Sequence, residues 1–208
     1  MHYLSILFFA LSSSSDNLIV GLSYGIKKVK INTINNLLVA LISGAGTFIA
    51  MLLGNFIRSY AHLPSNLIGS ILLIAFGFYT MSKPYIDEYR SRKKVGINKV
   101  THSSVETYEN IIKHPDLLDT NRSNTIDLNE AITLGFILSI NNVGLGIAAS
   151  IAGLNVYLTT LFSIFFSILF IPLGCYIGRH LISDKFSPYA ELISGAIIML
   201  LGIYELFI

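Results

Sequence analysis

Four polar residues interrupt two otherwise apolar segments of the chain. Asp16 and Asn17 follow a run of serines, Ser12 to Ser15, and Asn141 and Asn142 stand in the middle of a later segment. Carboxylate, amide and hydroxyl oxygens are hard ligands that suit Mg²⁺, Ca²⁺ or Mn²⁺ better than soft metals. In a membrane, an ionisable group at mid-depth costs roughly 2.5–3.5 kcal/mol, so Asp16 is expected to face protein or water. The predicted site for such an ion consists of Asp16, Asn17, Asn141 and Asn142.

Each of these residues also has an interpretation that needs no ion. Hydrogen bonds between helices account for the three asparagines, because amide side chains commonly join helices inside a membrane. Asp16 has the same option if it is protonated, with Ser12 or Asn142 as its partner. An ion or proton role is nevertheless the favoured interpretation of Asp16, since carboxyl groups at this depth are costly and usually functional.

A second candidate site is the polar segment 119–130. Its residue types follow the twelve-residue calcium loop of EF-hands, in which positions one, three, five, seven, nine and twelve supply the ligands. Asn124 stands where the turn normally has glycine, and asparagine tolerates the left-handed backbone of that position. The alternative is that the segment only caps the helix that follows it. The predicted Ca²⁺ ligands are Asp119, Asn121, Ser123, Thr125 through its carbonyl, Asp127 and Glu130.

The elements that must position these residues are membrane-spanning helices. Of the 208 residues, 53% are hydrophobic and only 12% are charged, whereas soluble domains carry about 25% charged residues. A net charge of +2 without a basic face argues against a nucleic-acid partner, and membrane lipid is the expected surrounding. A span requires about 20 mostly apolar residues. Six segments meet or approach this length: 3–25, 34–57, 66–81, 131–154, 156–178 and 188–207.

The distribution of lysine and arginine predicts the orientation of these spans. All of the 14 basic residues except Arg58 fall in the loops after the first, third and fifth segments. Because cytoplasmic loops are enriched in basic residues, the loop 82–130 is expected in the cytoplasm and both termini outside. We therefore predict a multi-pass protein of the bacterial inner membrane.

The chain also contains an internal repeat. At an offset of 125 residues, Asp16-Asn17 falls on Asn141-Asn142, Gly77 on Gly202 and Tyr79 on Tyr204. Three spans in each copy is an odd number, so the second copy must enter the membrane from the opposite face. Inverted repeats of this kind recur in transporters, whose substrates bind near the midplane. The predicted fold is all-α, with repeats 1–81 and 131–208 joined by the loop 82–130.

Several of these features together resemble a known family. The stretch Asp16 to Gly25, the basic turn Lys27 to Lys30, the segment 119–130 and Gly135 to Asn141 are similar to the sporulation membrane proteins of the YtaF type. That branch belongs with the manganese efflux pumps of the MntP type. The resemblance implies six spans and an ancestry in cation transport. The pumps have an aspartate at the position of Asn141 and a glutamate near Gly46, so this chain keeps one of three carboxylates.

These observations give two functional hypotheses. The first is a transporter or cation-binding relative that handles a divalent, manganese-like ion and is linked to sporulation. The alternative is a non-transporting component of the sporulation membrane, and a homo-oligomer or a sporulation partner is left open in both cases. An enzyme is not expected, because the sequence places no paired acids, His-Glu cluster or Ser-Lys dyad at membrane depth.

Overall fold

The computed structural model describes residues 3–61, 65–94, 118, 123–180 and 187–207. Within these residues the chain is helical apart from one pair of two-residue strands. The helices are α1 (Tyr3–Ser13), α2 (Ser15–Ile26), α3 (Thr33–Ala61), α4 (Ser65–Lys94), α5 (Leu128–Ile151), α6 (Val156–His180) and α7 (Ser187–Leu206). The strands are β1 (Lys30–Ile31) and β2 (Thr125–Ile126).

The protein is an all-helical membrane protein with six transmembrane helices, as the sequence predicted. Span 1 consists of α1 and α2 together, and spans 2 to 6 are α3 to α7. The first five spans contain stretches long and apolar enough to cross a membrane, and the sixth has a shorter apolar stretch, Leu192–Leu206. The outer faces of the helices carry many exposed large apolar side chains, which suits contact with lipid.

Most spans end within about four residues of their predicted bounds, but spans 1 and 3 differ from the prediction in other ways. Span 1 was expected to be continuous but is broken at Ser14. Helix α4 was expected to end at residue 81 but continues to Lys94 and contains Pro84. The residues beyond 81 include glutamate, arginine and lysine, which favour helix without favouring lipid. Hydropathy therefore located the end of the apolar segment and not the end of the helix.

The spans pair across the two repeats. Span 1 packs mainly on span 5, span 2 mainly on span 4, and span 3 mainly on span 6. A two-fold axis between the repeats exchanges spans 1, 2 and 3 with spans 4, 5 and 6. It therefore turns the contact of span 1 with span 5 into the contact of span 4 with span 2. It turns the contact of span 3 with span 6 into itself. This pattern is the one that two interlocked, inverted three-helix repeats produce.

Close helix contacts follow the same symmetry. A Cβ added to Gly77 would lie 2.7 Å from the Gly195 carbonyl oxygen, and a Cβ on Gly202 would lie 2.9 Å from the Ser70 carbonyl oxygen. Gly77 is the repeat equivalent of Gly202, and Ser70 that of Gly195, at the offset of 125. The reciprocal contacts show that this offset aligns the third span of each repeat in three dimensions.

Equivalent glycines are packed with different tightness, which gives a prediction about stability. A Cβ on Gly21 would collide with the Ile171 carbonyl oxygen, whereas a Cβ on the equivalent Gly146 would lie 3.0 Å from the Ala50 Cβ. Overpacking against rigid backbone typically costs about 1–3 kcal/mol. We expect Gly21→Ala to lower the unfolding midpoint in detergent clearly, and Gly146→Ala to lower it less. Equal midpoints for the two variants would contradict this account of the packing.

Candidate cation site in the membrane core

The break in span 1 lies directly before the acidic residue. Ser14 has φ −91° and ψ 1°, outside the helical pattern, and the Asn17 N–H donates to the Ser14 carbonyl at 3.1 Å. Serine side chains compete for backbone hydrogen bonds, and a run of four of them weakens a helix. The Ser14 hydroxyl donates to the Ser163 carbonyl of span 5 at 3.4 Å, which supports the broken conformation.

The break creates a helix N-terminus inside the membrane region. Helix α2 begins at Ser15, and Asp16 lies in its first turn. The positive end of the helix dipole stabilises a nearby carboxylate, typically by 0.3–1 kcal/mol and by up to about 2 kcal/mol when partly buried. A continuous helix would not provide this stabilisation of the Asp16 carboxylate. The broken helix therefore lowers the free-energy cost of holding a negative charge at this depth.

Asp16 meets its own repeat equivalent. The side-chain amide of Asn141, from span 4, donates a hydrogen bond to Asp16 Oδ2. Asn141 is equivalent to Asp16 at the offset of 125, so a contact between the two places them close to the two-fold axis of the repeats. Both side chains are partly exposed. The predicted meeting of spans 1 and 4 through their polar residues occurs at this pair.

The pair lies in the wall of a small polar cavity. The cavity has a volume of about 70 Å³, and a single water needs roughly 10–15 Å³ by the same measure. It therefore has room for a cation with some of its water. Spans 1, 3, 4 and 6 supply its lining, which consists of Ser12, Ser13, Ser15, Asp16, Phe76, Tyr79, Thr80, Asn141, Leu145, Ser194 and Ile198.

The other two predicted ligands do not line this cavity. Asn17 and Asn142 are buried, with 2% and 5% of their surface exposed. The Asn142 amide lies 3.5 Å from the Ser43 hydroxyl of span 2, to which it donates. One residue along a helix is a rotation of about 100°, so the neighbours of Asp16 and Asn141 point towards different spans. The structure brings together two of the four predicted ligands.

The cavity includes polar residues that were not predicted as ligands. Ser194 of span 6 donates to the Ser12 carbonyl at 2.8 Å, and Thr80 of span 3 donates to the Phe76 carbonyl at 2.9 Å. The serine run was visible in the sequence, but nothing marked Tyr79, Thr80 or Ser194 as parts of the same site. Among the described residues, no three His, Cys, Asp or Glu side chains come together. Ligands in the cavity would thus be mostly neutral oxygens around one carboxylate.

The predicted calcium loop packs against the ends of spans 1 and 2. Strand β2 pairs in parallel with β1, and the Lys30 N–H donates to the Asn124 carbonyl at 2.8 Å. The Asn35 side-chain amide of span 2 donates to the Ile126 carbonyl at 2.6 Å. Ile126 itself is buried in a cluster with residues of spans 1, 2 and 4. The end of the loop is therefore attached to the helices that carry Asp16 and Asn141.

The structure describes only part of the predicted calcium ligands. Asp119 and Asn121 lie outside the described residues. Asn124 has φ 57°, the left-handed conformation expected at the glycine position. Asp127 and Glu130 form a capping box at the start of α5, in which the Asp127 N–H donates to Glu130 Oε2 at 3.0 Å. The helix-capping interpretation is thus realised, and calcium binding stays a prediction.

Similarity to known proteins agrees with the fold. The family described as "Putative manganese efflux pump", MntP, matches residues 1–81 and 96–206. The chain belongs to this family. All candidate ligands lie inside the matched ranges of MntP, both those in the spans and those in the segment 119–130.

Individual members of the MntP family are similar over much of their length. "Probable sporulation protein YtaF" of Bacillus subtilis (strain 168) is 32% identical over 211 residues, which cover 99% of this chain and 100% of that protein. A "Putative manganese efflux pump MntP" of Bacillus cereus (strain ATCC 10987 / NRS 248) is 27% identical over 161 residues, 77% of this chain and 70% of that protein. No solved structure matches the chain. The resemblance to the YtaF branch of the MntP family is confirmed.

Proposed function

We propose that the protein binds a divalent cation of the manganese class at the Asp16–Asn141 pair and carries it across the membrane. The observation that carries this proposal is a carboxylate at a helix break, hydrogen-bonded to its repeat equivalent in the wall of a polar cavity. A site on the two-fold axis of inverted repeats is equally placed for access from both faces, as alternating access requires. Family membership supports the class of substrate.

The direction of transport depends on the orientation, which we also propose from the charges. The face formed by the Lys27–Lys30 turn and the loop 82–130 is taken as cytoplasmic, because almost all lysines and arginines lie there. Both termini are then outside. Export would carry the cation from that basic face, past Asp16, towards the face of the loop 153–155.

Expression in a bacterial host without its own manganese exporter tests transport. If the proposal is correct, the protein lowers cellular manganese, measured by mass spectrometry, and raises the manganese concentration that the host tolerates. Empty vector and an Asp16→Asn variant at equal membrane abundance are the controls. Unchanged manganese content and tolerance would refute transport of this ion.

One observation favours a second candidate, a non-transporting component of the sporulation membrane. The negative charge of Asp16 is already met by the Asn141 amide and by the α2 N-terminus, without any ion. The relative named as a sporulation protein covers the whole chain. Co-purification of a sporulation partner, together with unchanged cellular metal after deletion of the gene, would favour this function over transport.

We further propose that the segment 119–130 binds Ca²⁺ and thereby braces the start of span 4. If it does, millimolar Ca²⁺ raises the unfolding midpoint of the purified protein, because a ligand that binds only the folded state stabilises it. Glu130→Gln should remove the calcium-dependent rise, and Asp16→Asn should keep it. Equal midpoints with Ca²⁺ and with a chelator would leave Asp127 and Glu130 as helix caps alone.

A further inference from the structure

One face of α6 carries buried hydroxyl groups without a partner in the described part of the chain. Thr159, Thr160, Ser163 and Ser167 are each at least nine-tenths buried. Among the residues that the structure describes, none forms a hydrogen bond with any of these four hydroxyl oxygens. We call these four residues the hydroxyl face of α6. The opposite side of the helix carries exposed apolar residues such as Leu161, Phe165 and Leu169, which suit lipid.

Several hydroxyl groups elsewhere in the spans behave differently, although Ser5, Ser12, Ser70 and Ser150 also lack a partner among the described residues. Thr47 donates to the Ser43 carbonyl at 3.1 Å, Thr80 to the Phe76 carbonyl at 2.9 Å, and Ser139 to the Gly135 carbonyl at 2.8 Å. This bond to the preceding turn is the usual way in which a buried serine or threonine is satisfied in a helix. The hydroxyl face of α6 does not use it. A buried hydroxyl without a partner costs about 1–3 kcal/mol, so four of them together require another explanation.

The hydroxyl face runs from one membrane face to the level of Asp16. Thr159, Ser163 and Ser167 are four residues apart, so they form a line about 12 Å long at 1.5 Å per residue. At the upper end, the Thr159 N–H donates to the Asn155 carbonyl in the loop before α6. Further down, the Ser163 carbonyl accepts from the Ser14 hydroxyl at the helix break. The line therefore connects the loop 153–155 with the break beside Asp16.

Two further side-chain oxygens without partners among the described residues lie on spans 2 and 4. Span 2 packs against α6, and span 4 packs against span 2. Asn36 of span 2 donates to the Ile168 carbonyl at 2.9 Å, but its own side-chain oxygen has no partner among the described residues. Asn142 of span 4, whose amide donates to Ser43 of span 2, also has a side-chain oxygen without a partner among the described residues. Both side chains are at least nine-tenths buried. The polar region therefore extends beyond one helix to the junction of spans 1, 2, 4 and 5.

We propose that this region is a hydrated access route along the hydroxyl face of α6, which water fills and through which a small cation reaches the face bearing the loop 153–155. Water satisfies buried hydroxyl and amide oxygens by bridging two to four of them. Neutral oxygens replace part of the hydration shell of a cation but bind the cation weakly, so the cation can move from one oxygen to the next. The passage of a cation along this route rests on the proposed function, whereas the presence of water in the route does not.

Cysteine accessibility tests the route. Cys175 is the single native cysteine, so Cys175→Ser gives a background in which Thr159→Cys, Ser163→Cys and Ser167→Cys are made one at a time. Intact membranes are treated with a small cationic methanethiosulfonate, washed, denatured, and labelled with a fluorescent maleimide that reports the remaining thiol. Only a hydrated thiol forms the reactive thiolate, so these three positions should react at least about ten times faster than positions in lipid or in dry core.

Two matched controls give the rates of thiol labelling at positions without water. Leu161→Cys lies on the exposed, lipid-facing side of α6, and Ala149→Cys lies in an apolar cluster with 0% of its surface exposed. Serine and cysteine are nearly the same size, and three independent positions keep the test valid if one variant does not accumulate. Reaction no faster than at the two controls would show dry packing and overturn the route.

The outcome is independent of whether Asp16 binds metal. The same labelling in an Asp16→Asn background should be unchanged, because the hydroxyl groups and not the carboxylate hold the water. Fast labelling combined with no manganese binding would refute only the proposed function. Slow labelling combined with manganese binding at Asp16 would refute only the route.

Discussion

Asp16→Asn is expected to abolish manganese binding and leave the fold intact. The substitution keeps the size of the side chain and still allows an amide–amide hydrogen bond with Asn141, so the contact of spans 1 and 4 persists. It removes the one carboxylate among the described residues of the cavity lining. Two unit charges 4 Å apart interact by about 4 kcal/mol at an effective dielectric constant of 20, and a divalent ion roughly doubles this. Even after desolvation is subtracted, at least about a 100-fold loss of affinity is expected, since each 1.4 kcal/mol is tenfold.

The measurement is a titration of purified protein with Mn²⁺, in which electron paramagnetic resonance reports the free ion. Glu205 provides a matched control, because it is a buried carboxylate in span 6, with 2% of its surface exposed, that does not line the cavity. Glu205→Gln should therefore bind manganese like the unsubstituted protein, even if its unfolding midpoint falls. Full binding in Asp16→Asn, or loss of binding in Glu205→Gln instead, would place the ion elsewhere.

The repeat explains why the sequence could predict Asp16 and Asn141 as neighbours. Two residues at equivalent positions of an inverted repeat are related by its two-fold axis. Because Asp16 and Asn141 both lie about halfway along their spans, both are near the midplane of the membrane, and the axis places them close to each other. The number of spans followed equally directly from hydropathy, because a bilayer imposes the length of an apolar helix. These predictions needed no knowledge of packing angles.

The features that the sequence did not predict depend on rotation and on packing. Whether Asn17 and Asn142 share the cavity is decided by a rotation of about 100° per residue about the helix axis. In span 4 this rotation is fixed by packing on span 2, where the Ser139 hydroxyl donates to the Ile42 carbonyl at 3.0 Å and Asn142 contacts Ser43. The break at Ser14 is supported by a hydrogen bond to the distant Ser163 carbonyl. Thr80 and Ser194 join the site because span 3 packs on span 6 beside span 1. A hydropathy pattern contains none of this information.

Asn141→Asp is expected to raise the affinity for manganese by at least about tenfold. The substituted side chain would lie at the hydrogen-bonding position now held by the Asn141 amide, so two carboxylates would face one ion near the two-fold axis. A second negative charge offsets the remaining positive charge of a divalent ion in a medium of low dielectric constant, where that charge matters most. Without the ion, the two carboxyl groups should share a proton, because two like charges in contact cannot both ionise. Binding should therefore release a proton and strengthen as the pH rises.

The charge-exchanged variant, Asp16→Asn with Asn141→Asp, separates charge from position. It keeps one carboxylate but moves it from a helix N-terminus at Ser15 to the interior of the continuous helix α5. The positive end of the helix dipole stabilises the Asp16 carboxylate but repels a bound cation, so its loss, up to about 2 kcal/mol when partly buried, changes the affinity by at most roughly 30-fold in either direction. Binding by the exchanged variant should thus be clearly tighter than binding by Asp16→Asn. If the exchanged variant binds no better than Asp16→Asn, the two positions do not form one site.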